Sequence, residues 1–172
     1  FKTIILLMSS AFFFFTNQNV QAQDFGADVV SSYVWRGTQF GTGPHIQPWM
    51  ELGSGAFTGG IWGSFQTNSL ASNSGNELDL WVSYDFGPLA LTLTNYSFPS
   101  NNGKYIDAKG VSTPGLFDSD YMEISGSTSL GGLDLMVGYF TDAEALYVEA
   151  GFSAGAMDVG VGFGSDGKDP FY

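Results

Sequence analysis

The chain has 172 residues, with 17 acids against 5 bases and a net charge of −12. So few lysines and arginines argue against nucleic acid, whose phosphates need cations to neutralise them. The absence of cysteine excludes disulfides, thiolate metal sites and a lipoprotein anchor, and the length suits one domain.

The first 22 residues read as a secretory signal peptide. Lys2 supplies a basic start, Ile4 to Phe15 is a mostly apolar run, and Val20-Gln21-Ala22 fits the small-x-small cleavage pattern. The run is too short for a membrane-spanning helix. Cleavage after Ala22 removes Lys2 and leaves 17 acids against 4 bases. The residues from 23 to 172 then form the folded domain. No later stretch approaches the roughly 18 apolar residues of a spanning helix, so an exported chain is expected to be either a soluble β-protein or a β-barrel.

From residue 25 onward, apolar and polar residues alternate in segment after segment, the period of a strand with one apolar and one polar face. Nine strands are predicted, over 25–36, 45–53, 56–66, 77–86, 89–98, 120–128, 133–140, 145–153 and 156–164. The first places Phe25, Ala27, Val29, Tyr33 and Trp35 on its apolar face and Asp28, Ser32 and Arg36 on the other. The second sets Ile46, Met50 and Leu52 against Gln47, Trp49 and Glu51, and the third sets Phe57, Ile61 and Phe65 against Trp62, Ser64 and Gln66. In the fourth, Leu78, Leu80, Val82, Tyr84 and Phe86 alternate with Glu77, Asp79, Trp81 and Asp85. The fifth carries Leu89, Leu91 and Leu93 opposite Thr92 and Thr94; the sixth, Met122 and Ile124 opposite Tyr121 and Glu123. The last three place Asp134, Glu149 and Asp158 opposite apolar rows ending in Tyr139, Phe152 and Phe163.

The connections differ in length. Glycine-rich tight turns near 53–55, 87–88, 131–132 and 153–155 alternate with longer links over 37–44, 67–76, 99–119 and 141–144. In a meander all tight turns fall at one end and all longer links at the other, as in an outer-membrane barrel. The aromatics of the apolar face sit at strand ends. Phe25, Phe57, Tyr84, Phe86 and Phe152 lie toward the turns, and Trp35, Phe65, Tyr139 and Phe163 toward the loops. Two aromatic belts around an aliphatic band are what the two interfaces of a bilayer select. The predicted fold is all-β, an antiparallel up-and-down transmembrane β-barrel in the bacterial outer membrane, in contact with its lipid. Nine strands leave an unpaired edge, whereas bacterial barrels use even numbers. Residues 164–172 read as an outer loop, so ten to twelve strands are expected in the complete protein.

The segment Ser32-Tyr33-Val34-Trp35-Arg36-Gly37, soon followed by Gln47-Pro48, resembles the opening of the TorF-type porins, the Gcw_chp family. Glu77-Leu78-Asp79-Leu80 followed by the Gly87 turn is also similar. The resemblance covers the mature chain loosely and is sharpest in the first two strands. It implies an outer-membrane barrel and a diffusion pore, with no cofactor and no catalytic residues.

On the barrel reading, nine acids face inward: Asp28, Glu51, Glu77, Asp79, Asp85, Glu123, Asp134, Glu149 and Asp158, with Arg36 as the inward base. Such a lining concentrates cations; in a narrow barrel it equally serves to solvate the interior. Arg36 is expected to pair with a carboxylate near the outer rim. Trp49, Trp62 and Trp81 also point inward, either to fill the interior or to stack on a passing solute. His45 is the one histidine and the natural base if the rim held an active site, but no H-E-x-x-H motif accompanies it, and Gly151-Phe152-Ser153-Ala154-Gly155 falls at a strand-to-strand turn rather than at a G-x-S-x-G nucleophile elbow. Asp118, Asp120 and Glu123 form a small acidic cluster, read as a solvated loop end with Ca²⁺ as the sharper alternative. The 99–119 link, with Asn101, Asn102, Lys104 and Lys109, would carry recognition if the barrel were structural or adhesive.

Overall fold

The computed structural model describes residues 22–41, 43–67, 76–99, 105–106, 112–113 and 121–165. Residues 1–21 of the expected signal peptide, most of the 99–119 link and the stretch after 165 lie outside them. The described residues contain strands and no helix. Nine long strands form one antiparallel meander: β1 (Ala22–Val30), β4 (His45–Ser54), β5 (Phe57–Gln66), β6 (Glu77–Asp85), β7 (Ala90–Ser97), β10 (Tyr121–Leu130), β11 (Leu133–Phe140), β12 (Ala145–Ala154) and β13 (Met157–Ser165). Two short hairpins lie apart from it, β2 (Val34–Trp35) with β3 (Thr38–Gln39), and β8 (Tyr105–Ile106) with β9 (Ser112–Thr113).

Eight of the nine predicted strands appear within a residue or two of their expected ends, because period-two alternation and turn glycines mark them directly. The β10–β11 turn is the plainest case. Gly131 and Gly132 both adopt positive φ, 61° and 89°, between the paired Leu130 and Leu133. A two-residue turn of this hand matches the twist of the strands it joins, and two glycines adopt it without steric cost.

The first strand is the correction. It ends at Val30, not at 36, and the chain folds back on itself as the β2–β3 hairpin. Arg36 and Gly37 sit at its tip with φ of 47° and 78°, and Trp35 pairs with Thr38 across them. Two consecutive serines, Ser31 and Ser32, interrupt the alternation just before the bend. The first predicted link, 37–44, is therefore half hairpin.

Register is continuous across the sheet, so each face can be followed from strand to strand. On one face Asp28 lies opposite Gln47, Trp49 opposite Trp62, Trp62 opposite Asp79, and Asp79 opposite Tyr96. It continues through Thr94 and Glu123, Glu123 and Phe140, Gly138 and Tyr147, and Tyr147 and Gly164. The most buried side chains of this polar face are themselves polar: His45 and Ser64 are 0 % exposed and Glu77 and Glu123 are each 2 % exposed. The opposite face carries large apolar side chains in the open, with Phe25 at 79 % and Phe163 at 59 % exposed. The usual ordering of a soluble fold, in which Val, Leu, Ile and Phe lead the buried classes, is inverted. Asn95 and Ser97 form a polar exception on the apolar face. Both are buried, Ser97 Oγ donates to Asn95 Oδ1 at 3.2 Å, and the Asn95 amide contacts Met122 Sδ at 3.1 Å.

The sheet curls around its polar face. Tyr33 touches His45 on β4, Trp62 on β5 and Glu77 on β6. Arg36, three residues later, touches Glu123 on β10, Phe140 on β11 and Tyr147 on β12. In a flat sheet β5 and β12 would stand about 24 Å apart, whereas three residues span about 10 Å. Among the described residues the sheet remains open, with β1 and β13 as its edges.

Candidate functional site

The concave polar face divides into two halves along the strands. At the loop end the β2–β3 hairpin lies across it. The Arg36 guanidinium donates to both oxygens of Glu123, at 2.6 and 3.0 Å, a planar fork matched to a carboxylate. The same guanidinium lies 4.3 Å from the Trp35 ring centroid and 3.9 Å from that of Tyr147, distances at which a cation is attracted to a ring face. Tyr33, 3 % exposed, donates its hydroxyl to Glu77 Oε2 at 2.6 Å. Tyr96 contacts Glu123 Oε1 at 3.4 Å. Burial, reinforced by the negative charge of Glu77 and the bond to it, raises the Tyr33 hydroxyl well above its ordinary pKa, so it remains a donor.

Small residues make room for this assembly. A Cβ on Gly138 would stand 2.7 Å from the Glu123 carboxyl carbon, and one on Gly162 would collide with the Tyr147 hydroxyl. The three inward tryptophans fill space in the same way. Trp49 lies over Gly26, Trp81 lies over Gly60, and Trp62 packs on Tyr33 with ring centroids 5.5 Å apart.

Toward the turns the same face is open. A cavity of about 450 Å³ is lined there by Asp85, Ser127, Ser129, Asp134, Met136 and Glu149. Its acids are held by short local contacts. Asp85 accepts from the Gly87 amide at 2.6 Å, Asp134 accepts from Ser129, and Glu149 accepts from Tyr147 at 2.6 Å. Asp158, on the same face, accepts from Ser153 at 2.7 Å.

All nine predicted acids fall on this face, though not together. Glu77, Asp79 and Glu123 are buried under the hairpin; Asp28, Asp85, Asp134, Glu149 and Asp158 are exposed, and Glu51 is half-buried. Asp24, which the predicted first strand did not include, joins them opposite Glu51. Of the predicted outer aromatics, Phe25, Phe57, Phe65, Phe86, Tyr139, Phe152 and Phe163 are exposed on the apolar face, and Tyr84 packs between Phe57 and Phe86. Trp35 is a correction. Its ring sits inside against Phe40, Tyr96 and Phe140 at 5.6–6.1 Å, carried there by the hairpin with Tyr33. Tyr96 and Phe140, which complete this cluster, were not singled out from sequence; their positions on polar-face alternation were the available signal.

His45 is not a rim group. It is fully buried, with Nδ1 2.9 Å from Ser64 Oγ, which also accepts from Gln47. Gly41 packs directly on Nε2, and a Cβ there would stand 2.0 Å from it. That nitrogen has no hydrogen-bond partner among the described residues, so among them the Ser–His pair has no orienting acid. Asp118 and Asp120 lie outside the described residues, and Glu123 is taken by Arg36. Among the described residues no group of three or more His, Cys, Asp or Glu could hold a metal ion.

The class defined so far is an all-β antiparallel meander with its polar groups turned in and its apolar groups turned out. Compared with known protein families, curated proteins and solved structures, the chain finds no match.

Proposed function

We propose that this chain forms a β-barrel in the bacterial outer membrane and passes small solutes, cations in preference, through an acid-lined interior. The observation that carries the reading is the inverted burial. Nineteen large apolar side chains stand exposed on one face of one sheet, far beyond the few hundred Å² of apolar patch a soluble monomer presents. Along that face Phe25, Phe57 and Phe152 lie toward the turns and Phe65, Tyr139 and Phe163 toward the loops, with Val161 between. Lipid between two interfaces fits this order, and closing the sheet would remove edges that hydrocarbon does not tolerate. The resemblance of Tyr33 to Gly37 to the TorF-type porins points the same way.

Cation preference follows from the lining. The polar face carries Asp28, Glu51, Asp85, Asp134, Glu149 and Asp158 unpaired with any base among the described residues, while its arginine is bound to Glu123. A negative potential in a low-dielectric bore raises cation concentration and repels anions. Reversal potentials of the refolded chain in a planar bilayer under a salt gradient test it, with cation selectivity expected; anion selectivity refutes it.

The second reading is a non-conducting structural or adhesive barrel. The hairpin lying across the loop end favours it, because it fills the bore where a pore would need to be open. Liposome swelling separates the two. Uptake of a small sugar or amine supports the channel, and none supports the structural barrel.

A further inference from the structure

We propose that the hairpin 31–41 is a latched plug, docked chiefly by Arg36 on Glu123, whose release opens the loop end of the interior. This rests on reading the polar face as the interior of a barrel. The hairpin is a two-stranded sheet of its own, separate from the nine-stranded wall. Its base is tied to itself: the Phe40 amide donates to Tyr33 O at 2.9 Å, and Ser32 Oγ and Gln39 Nε2 both donate to Gly41 O. It meets the wall through side chains: Tyr33 donates to Glu77 and packs on His45 and Trp62, Trp35 packs on Tyr96 and Phe140, and Arg36 pairs with Glu123. An element closed on itself and docked by side chains, with no strand paired to the wall, can leave as a unit without unpairing a strand of the wall.

The tip shows what the latch is for. Arg36 has φ of 47°, the left-handed region. The first position of such a two-residue turn favours Asn, Asp or Gly, and a longer side chain there costs about 1 kcal/mol or more. Turn formation alone gives no reason for arginine. Docking does, because from this position one guanidinium reaches both Glu123 oxygens and lies against the Trp35 and Tyr147 rings. The residue least suited to the turn is the one best suited to the carboxylate across the bore.

Release also changes the charge of the opening. Docked, the hairpin buries Glu77, Asp79 and Glu123 and sets one positive charge among them. Undocked, it would leave three carboxylates facing water at the loop end and carry the arginine away. The open form is therefore both wider and more negative than the closed one.

The chain has no cysteine, so Ser64→Cys supplies a single reporter. Ser64 is fully buried beside His45, which Tyr33 and Gly41 cover; His45→Cys is the second reporter if Ser64→Cys does not fold. The refolded full chain, its fold checked by heat-modifiable migration, is labelled with a bulky maleimide, and its conductance is read in a planar bilayer. The expected result is slow labelling in the parent, labelling faster by roughly ten-fold or more with Arg36→Ala or Glu123→Gln, an intermediate rate with Arg36→Lys, and higher conductance in the fast-labelling variants. Equal labelling in folded parent and variants overturns the latch, whatever the currents. Faster labelling with no current in any variant keeps the latch and removes the channel. Current in the parent, with labelling and conductance unchanged in the variants, keeps the channel and removes the latch.

Discussion

Gly138 leaves room for Glu123: a Cβ at 138 would stand 2.7 Å from the carboxyl carbon and 2.8 Å from Oε2. The two residues are on adjacent strands, and the carboxylate lies over the glycine as it reaches Arg36. Gly138→Ala must therefore push Glu123 off its present position. Overpacking of this kind costs about 1–3 kcal/mol. The matched control is Gly160→Ala on the same face, where the nearest atom to an added Cβ is Ala150 O at 3.6 Å, an ordinary contact. In urea titrations of the membrane-inserted chain, Gly138→Ala is expected to lower the unfolding midpoint and Gly160→Ala to leave it or raise it slightly. Equal midpoints for the two would mean that Glu123 has room to move.

The strands and both faces were legible in the sequence; the hairpin was not. Segments such as Leu78 to Phe86 announce themselves because each residue alternates and a glycine turn closes the run. Tyr33-Val34-Trp35 deceives for the same reason. It continues the alternation of β1 and so reads as two more outward aromatics, although Ser31-Ser32 bends the chain and Arg36-Gly37 reverses it. The reversal is written in a dipeptide whose first member is a poor turn former, and what compensates it lies 87 residues away at Glu123. Such a pair depends on how far the sheet curls, which no local pattern encodes. That Asp79 would be buried and Asp85 exposed was hidden similarly, since both sit on the same face of β6 and differ only in lying under or beyond the hairpin.

Val148 lies midway along β12 on the apolar face, between Val137 and Phe163 on its neighbours, and is exposed. If that face meets lipid, Val148→Lys places a charge in hydrocarbon, at a cost of about 2–4 kcal/mol near the midplane. If it meets water, the change costs almost nothing. Folding free energies measured into phosphatidylcholine vesicles are expected to drop by the larger amount, with Ser127→Lys on the polar face close to neutral. A near-neutral Val148→Lys would remove the membrane assignment of this face.

The four tryptophans, Trp35, Trp49, Trp62 and Trp81, all point to the polar side, Trp35 by way of the hairpin. Their fluorescence is expected to be weakly quenched by brominated lipids, which collide only with groups on the outer surface. Phe163→Trp adds an outward ring near the loop end of β13 and is expected to introduce a strongly quenched component. Strong quenching in the parent, lost on Trp35→Phe, would return Trp35 to the outer belt.

Tyr33 carries an alkaline signature. Its hydroxyl is raised above its ordinary value of 10.0, first by burial and then by the charge of Glu77 and the hydrogen bond to it. Ionisation is thus harder in the docked hairpin than in the released or unfolded chain. The unfolded state loses its proton first, so the contribution of Tyr33 to docking is complete below pH 10 and declines as pH rises above it. The direction follows from chemistry as well: a phenolate cannot donate to Glu77 and would place two negative oxygens 2.6 Å apart. With the Ser64→Cys reporter, labelling corrected for thiolate formation should accelerate above pH 10 in the parent. Tyr33→Phe has no proton to lose and should label faster than the parent at neutral pH, with that part of the alkaline rise gone. The other tyrosines titrate in both proteins, so the difference between the two profiles isolates Tyr33. Superimposable profiles would mean that the Tyr33–Glu77 bond does not hold the hairpin down.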